Sequence, residues 1–181
     1  MREHPLIEEV LISEEEVKAK VKELAKRISE DYANKDLVLV ALLKGSVVYL
    51  ADLMREMTID CLCDFMVASS YGRGTVSSGT LNIVKDLSVD IKGKDVLLVE
   101  DIVDSGITLN MVSKMLKERN PRSLEITTLL TKPSRRQVEI DVKYCGFTIP
   151  DKFVVGYGLD FDDKYRGFVG VGVLKEEAYK N

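Results

Sequence analysis

Apolar residues recur along this 181-residue chain with two periods, and stretches of each period alternate. From about Ser13 to Tyr32 the positions Val17, Val21, Leu24, Ile28 and Tyr32 fall on one face of a helix. Ser13 followed by Glu16 forms a capping box and marks where that helix begins. Lys35-Asp36 then turns the chain into Leu37-Val38-Leu39-Val40-Ala41-Leu42-Leu43, apolar throughout, which is how a strand covered on both faces reads. After Lys44-Gly45-Ser46 a second helix is predicted that carries Val47, Val48, Leu50, Ala51 and Met54, and a strand follows near Ile59 to Ala68.

Residues 69–80 are rich in Gly and Ser and carry no apolar period, so they read as a mobile loop, a hairpin tip or a lid. Asp95 to Val99 is a buried strand ending abruptly in two acids. A helix from about Ile107 to Arg119 has Leu109, Val112, Met115 and Leu116 inward and stops before Pro121. Further strands are expected at Ser123 to Leu130, Phe153 to Tyr157 and Phe168 to Leu174. Strands that alternate with helices predict an α/β fold with a mainly parallel central sheet. No repeat or linker divides the chain, so one domain is expected.

Composition narrows the function. At 20.3 kDa, with 45% apolar and 31% charged residues, the chain can bury a core without disulfides or a structural metal. Basic minus acidic residues gives 26 − 30 = −4, so no global positive field exists to hold nucleic acid. No run of 18 apolar residues occurs, and Met1 to Pro5 does not begin a secretory signal, so a cytoplasmic location off the membrane is expected. Cys61, Cys63 and Cys145 have no paired spacing and read as reduced core thiols. The single His4 leaves zinc sites and histidine-based triads almost nothing to work with.

One segment carries chemistry: Val96-Leu97-Leu98-Val99-Glu100-Asp101-Ile102-Val103-Asp104-Ser105-Gly106-Ile107-Thr108. In open α/β sheets the ligand site forms where strands end and loops begin. Here the turn from Asp104 to Thr108 opens a helix, and backbone amides there, with two hydroxyls and a glycine, make an anion cradle. Three carboxylates beside such a cradle repel unless the ligand also carries hydroxyls and a magnesium ion, as a ribose phosphate does. The plain alternative is that Asp104 and Ser105 only cap a helix. No Gly-Lys-Ser/Thr ending and no GxGxxG is present, which weakens ATPase and dehydrogenase readings.

This segment resembles the phosphoribosyl-pyrophosphate (PRPP) signature of type I phosphoribosyltransferases, and the resemblance covers most of the chain. Leu42 to Ser46, Ser70-Tyr71, Leu130 to Pro133, Ile149 to Asp160 and Tyr165-Arg166 look like the hypoxanthine-guanine branch in the same order. The implied fold is a twisted, mainly parallel sheet flanked by helices, with a core of about residues 36–132. A small hood comes from the N-terminal segment and about residues 142–181. The implied reaction is magnesium-dependent displacement of pyrophosphate from PRPP by a 6-oxopurine, giving IMP or GMP in purine salvage, and family members are commonly homodimers or homotetramers.

By the same resemblance, Glu100 and Asp101 hold the ribose hydroxyls with magnesium, and Asp160 reaches a magnesium ion. Asp104, Ser105, Gly106, Ile107 and Thr108 hold the 5′-phosphate, and Asp104 acts as general acid or base at purine N7. Lys44, Gly45 and Arg166 bind pyrophosphate, in the family often through a non-proline cis peptide, assigned to Lys44-Gly45. Lys132 donates to the purine O6, Phe153 stacks on the base, and backbone at Val154 and Asp160 meets its edge. Ser70, Tyr71 and the following loop close over the site. Ile107 departs from relatives that carry lysine there, which weakens the local field but leaves the amides in place. Two alternatives remain open: an RNA-binding regulator that keeps a PRPP site, and an enzyme that prefers xanthine.

Overall fold

The computed structural model describes residues 5–70 and 81–179. Strand β1 (Ile7–Ile12) leads into helix α1 (Glu14–Asp31). The capping box forms: the Ser13 hydroxyl accepts from the Glu16 amide at 3.2 Å and the Glu16 carboxylate accepts from the Ser13 amide at 2.8 Å. All six residues of β2 (Leu37–Leu42) are buried. Leu37, Leu39 and Ala41 join one apolar cluster, and Val38, Val40 and Leu42 join a second across the sheet.

β2 pairs in parallel with β3 (Leu62–Ser70) and with β5 (Asp95–Val103). β6 (Ser123–Thr131) and β7 (Tyr144–Thr148) extend the sheet in parallel, and β4 (Leu81–Lys85) lies antiparallel to β3 at the other edge. The order is β4-β3-β2-β5-β6-β7. Helices α1 and α2 (Val47–Glu56) cover one face, and α3 (Ile107–Lys117) covers the other. A separate three-stranded antiparallel sheet, β1 with β9 (Val171–Leu174) and β8 (Val154–Val155), stands apart from the large sheet.

Several expectations shift. The acids after Val99 do not end their strand: β5 runs on to Val103, paired with β6 as far as Val103 opposite Thr131. Residues 144–148, expected in the hood, form the last strand of the large sheet. In α2 the buried residues are Tyr49, Leu50 and Leu53, whereas Val47 and Met54 are exposed. That helix is apolar around most of its circumference, so hydropathy could not choose its inner face. Tyr49 decides it, because its hydroxyl has a buried partner in Thr127 Oγ1 at 2.6 Å. Cys61 lies just before β3 and Cys63 within it, and with Cys145 all three are free thiols. Among the described residues no helix is long and apolar enough to cross a membrane.

Candidate active site

The carboxyl ends of β2, β5, β6 and β7 open on one edge of the sheet, and the loops leaving them carry nearly every residue singled out above. Backbone bonds tie these ends together: the Lys132 amide donates to Val103 at 3.0 Å and the Ile149 amide donates to Thr131 at 3.0 Å. In a parallel sheet this is the edge where ligands bind.

Glu100 and Asp101 sit inside β5 with protein on most sides. Glu100 Oε2 is buried and, among the described residues, has no hydrogen-bond partner. Burial, and secondarily the charge of Asp101, pushes the Glu100 carboxyl well above the usual range. Burial also lifts Asp101 to about 6; the Ile102 amide, bound at 2.7 Å, and Arg166 pull the other way. Two adjoining carboxylates that resist ionisation are a site awaiting hydroxyl donors or a cation.

The turn from Asp104 to Thr108 opens α3, but Asp104 does not cap it. The N-cap is Gly106 at φ +79°, and no side chain caps the helix; the Ser105 hydroxyl only accepts from the Ile107 amide at 3.4 Å. The left-handed angle suits glycine, and a Cβ there would meet the side chains of Arg136, Val138 and Ile140. Helix geometry directs the first-turn amides of α3 toward the end of the helix, the position from which such amides meet an anion.

Asp104 is poised differently. Its Oδ1 is buried without a partner among the described residues, while Oδ2 lies 3.7 Å from the Arg135 guanidinium. Arg135 also reaches Asp151 at 3.3 Å. Lys132 is buried within the field of the same groups: burial lowers its pKa, Asp104 and Asp151 oppose that, and Arg135 adds to it. Neither Arg135 nor Asp151 stood out in the sequence, because their pairing is made only when the ends of β6 and β7 meet.

Lys44, Gly45 and Arg166, which the resemblance assigns to pyrophosphate, converge from two loops. The non-proline cis peptide joins Leu43 to Lys44, one bond earlier than assigned. Lys44 Nζ lies 2.9 Å from Asp163 Oδ1, and Arg166 Nη2 lies 2.9 Å from the same oxygen and 2.8 Å from Asp160 Oδ1. Both cations hold the Asp163 carboxyl below its ordinary range. Arg166 also donates to the Gly158 carbonyl at 2.7 Å. A Cβ on Gly45 would fall inside the Asp101 carboxylate, and one on Gly158 would fall on the Gly45 carbonyl, so the three residues are pressed together. Asp163 was missed in the sequence, where it reads as one more solvated acid.

Phe153 is partly exposed, with its ring edge-on to Phe161 at 5.7 Å and stacked with Tyr179 at 4.9 Å. Val154 is buried and held in β8 opposite Val173. Beyond β8 the chain turns through positive φ at Gly156, Tyr157 and Gly158, which is why the expected strand stops at Val155. Tyr71 and the loop through residue 80 lie outside the described residues; Ser70 is the last residue of β3, paired with Leu81. Among the described residues no three His, Cys, Asp or Glu side chains gather as a self-sufficient metal site. The orphaned Glu100 oxygen and the raised Asp101 carboxyl nevertheless fit a hard cation whose shell is completed by substrate oxygens.

This edge of a parallel sheet brings paired acids beside a helix N-terminus and a second cationic patch, and the chain belongs to the phosphoribosyltransferase family. The family's phosphoribosyl transferase domain matches residues 11–162. The hypoxanthine-guanine phosphoribosyltransferase of Streptococcus pneumoniae is 49% identical over 175 residues, covering 97% of each chain. The hypoxanthine phosphoribosyltransferase of Escherichia coli is 51% identical over 173 residues, covering 93% of this chain and 97% of that one. A hypoxanthine phosphoribosyltransferase structure from Staphylococcus aureus superposes with a TM-score of 0.96 at 46% identity, covering 98% of this chain and 97% of the other.

Proposed function

We infer that this chain is a hypoxanthine-guanine phosphoribosyltransferase, which transfers the 5-phosphoribosyl group of PRPP to a 6-oxopurine and releases pyrophosphate. Near-complete alignment at about half identity with enzymes of that name supports the activity. The single observation in the site that carries the base chemistry is Asp104, whose buried oxygen lacks a partner beside buried Lys132.

Catalysis rests on positioning and electrostatics. The first-turn amides of α3 with Ser105 and Thr108 hold the 5′-phosphate. Glu100 and Asp101 accept hydrogen bonds from the ribose hydroxyls. Lys44, Gly45 and Arg166 bind the pyrophosphate. As the purine nitrogen attacks the anomeric carbon and the bond to pyrophosphate breaks, positive charge develops on the ribose near these carboxylates. Asp104 Oδ1 holds or takes the proton at N7, and Lys132 donates to O6, an interaction adenine cannot return. Phe153 stacks on the base, with backbone at Val154 and Asp160 along its edge. Magnesium, bound through substrate oxygens with Glu100, Asp101 and Asp160, would neutralise the leaving pyrophosphate. The hood made by the N-terminal strand and the residues after β7 covers this site within one domain. The same reading puts the enzyme in the cytoplasm as a homodimer or homotetramer, with no nucleic-acid or membrane partner.

The test offers hypoxanthine, guanine, xanthine and adenine separately with PRPP and magnesium, following nucleotide formation. Turnover of hypoxanthine and guanine with adenine inert is expected, and Lys132→Met should lower kcat/KM for hypoxanthine about 10²-fold or more. Undiminished hypoxanthine turnover in that variant would remove Lys132 from the base pocket. Absence of turnover with any base, despite PRPP binding, would overturn the enzyme reading.

A further inference from the structure

A carboxylate occupies the place assigned to pyrophosphate. Asp163 Oδ1 lies 2.9 Å from Lys44 Nζ and 2.9 Å from Arg166 Nη2, the two cations that pyrophosphate must meet. The turn that delivers it is specially built. Asp162, Asp163 and Tyr165 all adopt positive φ, at 53°, 56° and 71°. The Asp163 amide donates to Asp160 Oδ2 at 2.9 Å, which fixes the turn against the residue that begins it. Left-handed backbone at three non-glycine residues within four positions is uncommon and costs free energy at each. Here it aims one side chain at one pair of cations.

We propose that Asp163 is an internal stand-in for pyrophosphate, a competitor that a strongly bound, multiply charged ligand displaces from Lys44 and Arg166. The inference rests on the pyrophosphate role proposed above for those two cations. An incoming singly or doubly charged phosphate gains little by exchanging places with a carboxylate already paired twice. A pyrophosphate end, bearing more charge and more acceptor oxygens, repays the exchange and frees Asp163 into solvent. The stand-in lowers the apparent affinity of every anion that must displace it by the same factor, so at working concentrations only the ligand with the larger intrinsic affinity, PRPP or pyrophosphate, still fills the site. It also helps orient the guanidinium of Arg166, whose Nη2 it shares with Asp160 while Nη1 donates to the Gly158 carbonyl.

The decisive measurement is calorimetry on the full chain in magnesium buffer, with saturating IMP filling the 5′-phosphate cradle. Methylenediphosphonate and inorganic phosphate are titrated separately into the wild type, Asp163→Asn, Asp163→Gly and Arg166→Gln. Asn and Gly both accept the left-handed backbone, so the turn survives either change. Releasing the two ion pairs of Asp163 should tighten methylenediphosphonate about 3- to 10-fold in both Asp163 variants, and inorganic phosphate by a like factor. The gain should shrink as salt is raised. Arg166→Gln should weaken methylenediphosphonate about tenfold or more. Unchanged or weaker binding in the Asp163 variants, with Arg166→Gln still impaired, would overturn the stand-in and leave the pyrophosphate site intact. Wild-type affinity in Arg166→Gln would overturn that site and the stand-in with it.

Discussion

The two walls of the cleft are made of different material. The wall proposed to take ribose and phosphate belongs to the large sheet: Glu100 and Asp101 lie inside β5, whose residues Val96 to Val99 are fully buried, and the turn into α3 follows directly. The wall proposed to take pyrophosphate is a surface turn over residues 160–166, held by ion pairs whose lysine and aspartate, Lys44 and Asp163, are each about two-thirds exposed. Exposed pairs contribute little to stability, in the range of about 0–1 kcal/mol each. One wall is set when the protein folds; the other is free to reorganise when charge arrives. The division suits the reaction, in which the ribose must be held still while pyrophosphate leaves.

Gly45 is where the walls touch, and changing it should have the largest effect. Gly45→Ala forces its Cβ into the Asp101 carboxylate, which the Ile102 amide holds on its other oxygen. We expect a loss of about 10²-fold in kcat/KM for PRPP, since a displacement near 1 Å can cost that much. The loss in stability should be smaller, about 1–3 kcal/mol by chemical denaturation. Normal kinetics in the Gly45→Ala enzyme would mean the walls are not in register.

The sheet wall alone is probed by pH. Asp101 ionises at about 6 in the folded chain against 3.8 in an unfolded one, so the native state binds more protons between those values. Stability contributed by this group is therefore present at low pH and lost as pH rises from about 4 through 6. Asp101→Asn should remove that loss, gaining about 1–3 kcal/mol on the wild type at pH 7.5 and much less at pH 4.5. Thermal melts at both pH values measure it, and an equal difference at the two would refute a strained carboxylate.

The hood side yields the smallest effect. Tyr179 stacks on Phe153 at 4.9 Å, so Tyr179→Ala should loosen the ring that meets the base. An aromatic pair contributes about 0.5–1.5 kcal/mol, which predicts a two- to tenfold rise in KM for hypoxanthine with kcat nearly unchanged. A fall in kcat alone would assign Tyr179 to another step.

Sequence reading reached the two walls unequally, for the same physical reason. Core strands and the long helix announce themselves by local periodicity, as Val17 to Ile28 and Leu37 to Leu42 do. The PRPP segment is contiguous, so its residues could be read in one stretch. Polar residues in β5 misled, since two acids ordinarily end a strand; pairing with β6 and the demands of the site keep Glu100 and Asp101 within it. β1 exists because distant β9 pairs with it, whereas β4 and β7 are short strands beside their chain neighbours β3 and β6 with little pattern of their own. Asp163, Arg135 and Tyr179 acquire meaning through contacts with residues distant along the chain: Lys44, Asp104 and Phe153.

Gly45 lies between Asp101 and Gly158, with each of the three filling the space a larger neighbour would need. In the terms of heredity, these positions form a lock. A lineage that enlarges either glycine by a single mutation disturbs the site before a second mutation can make room. Drift is free to rewrite the outer faces of the helices, but it must carry this trio forward as one character.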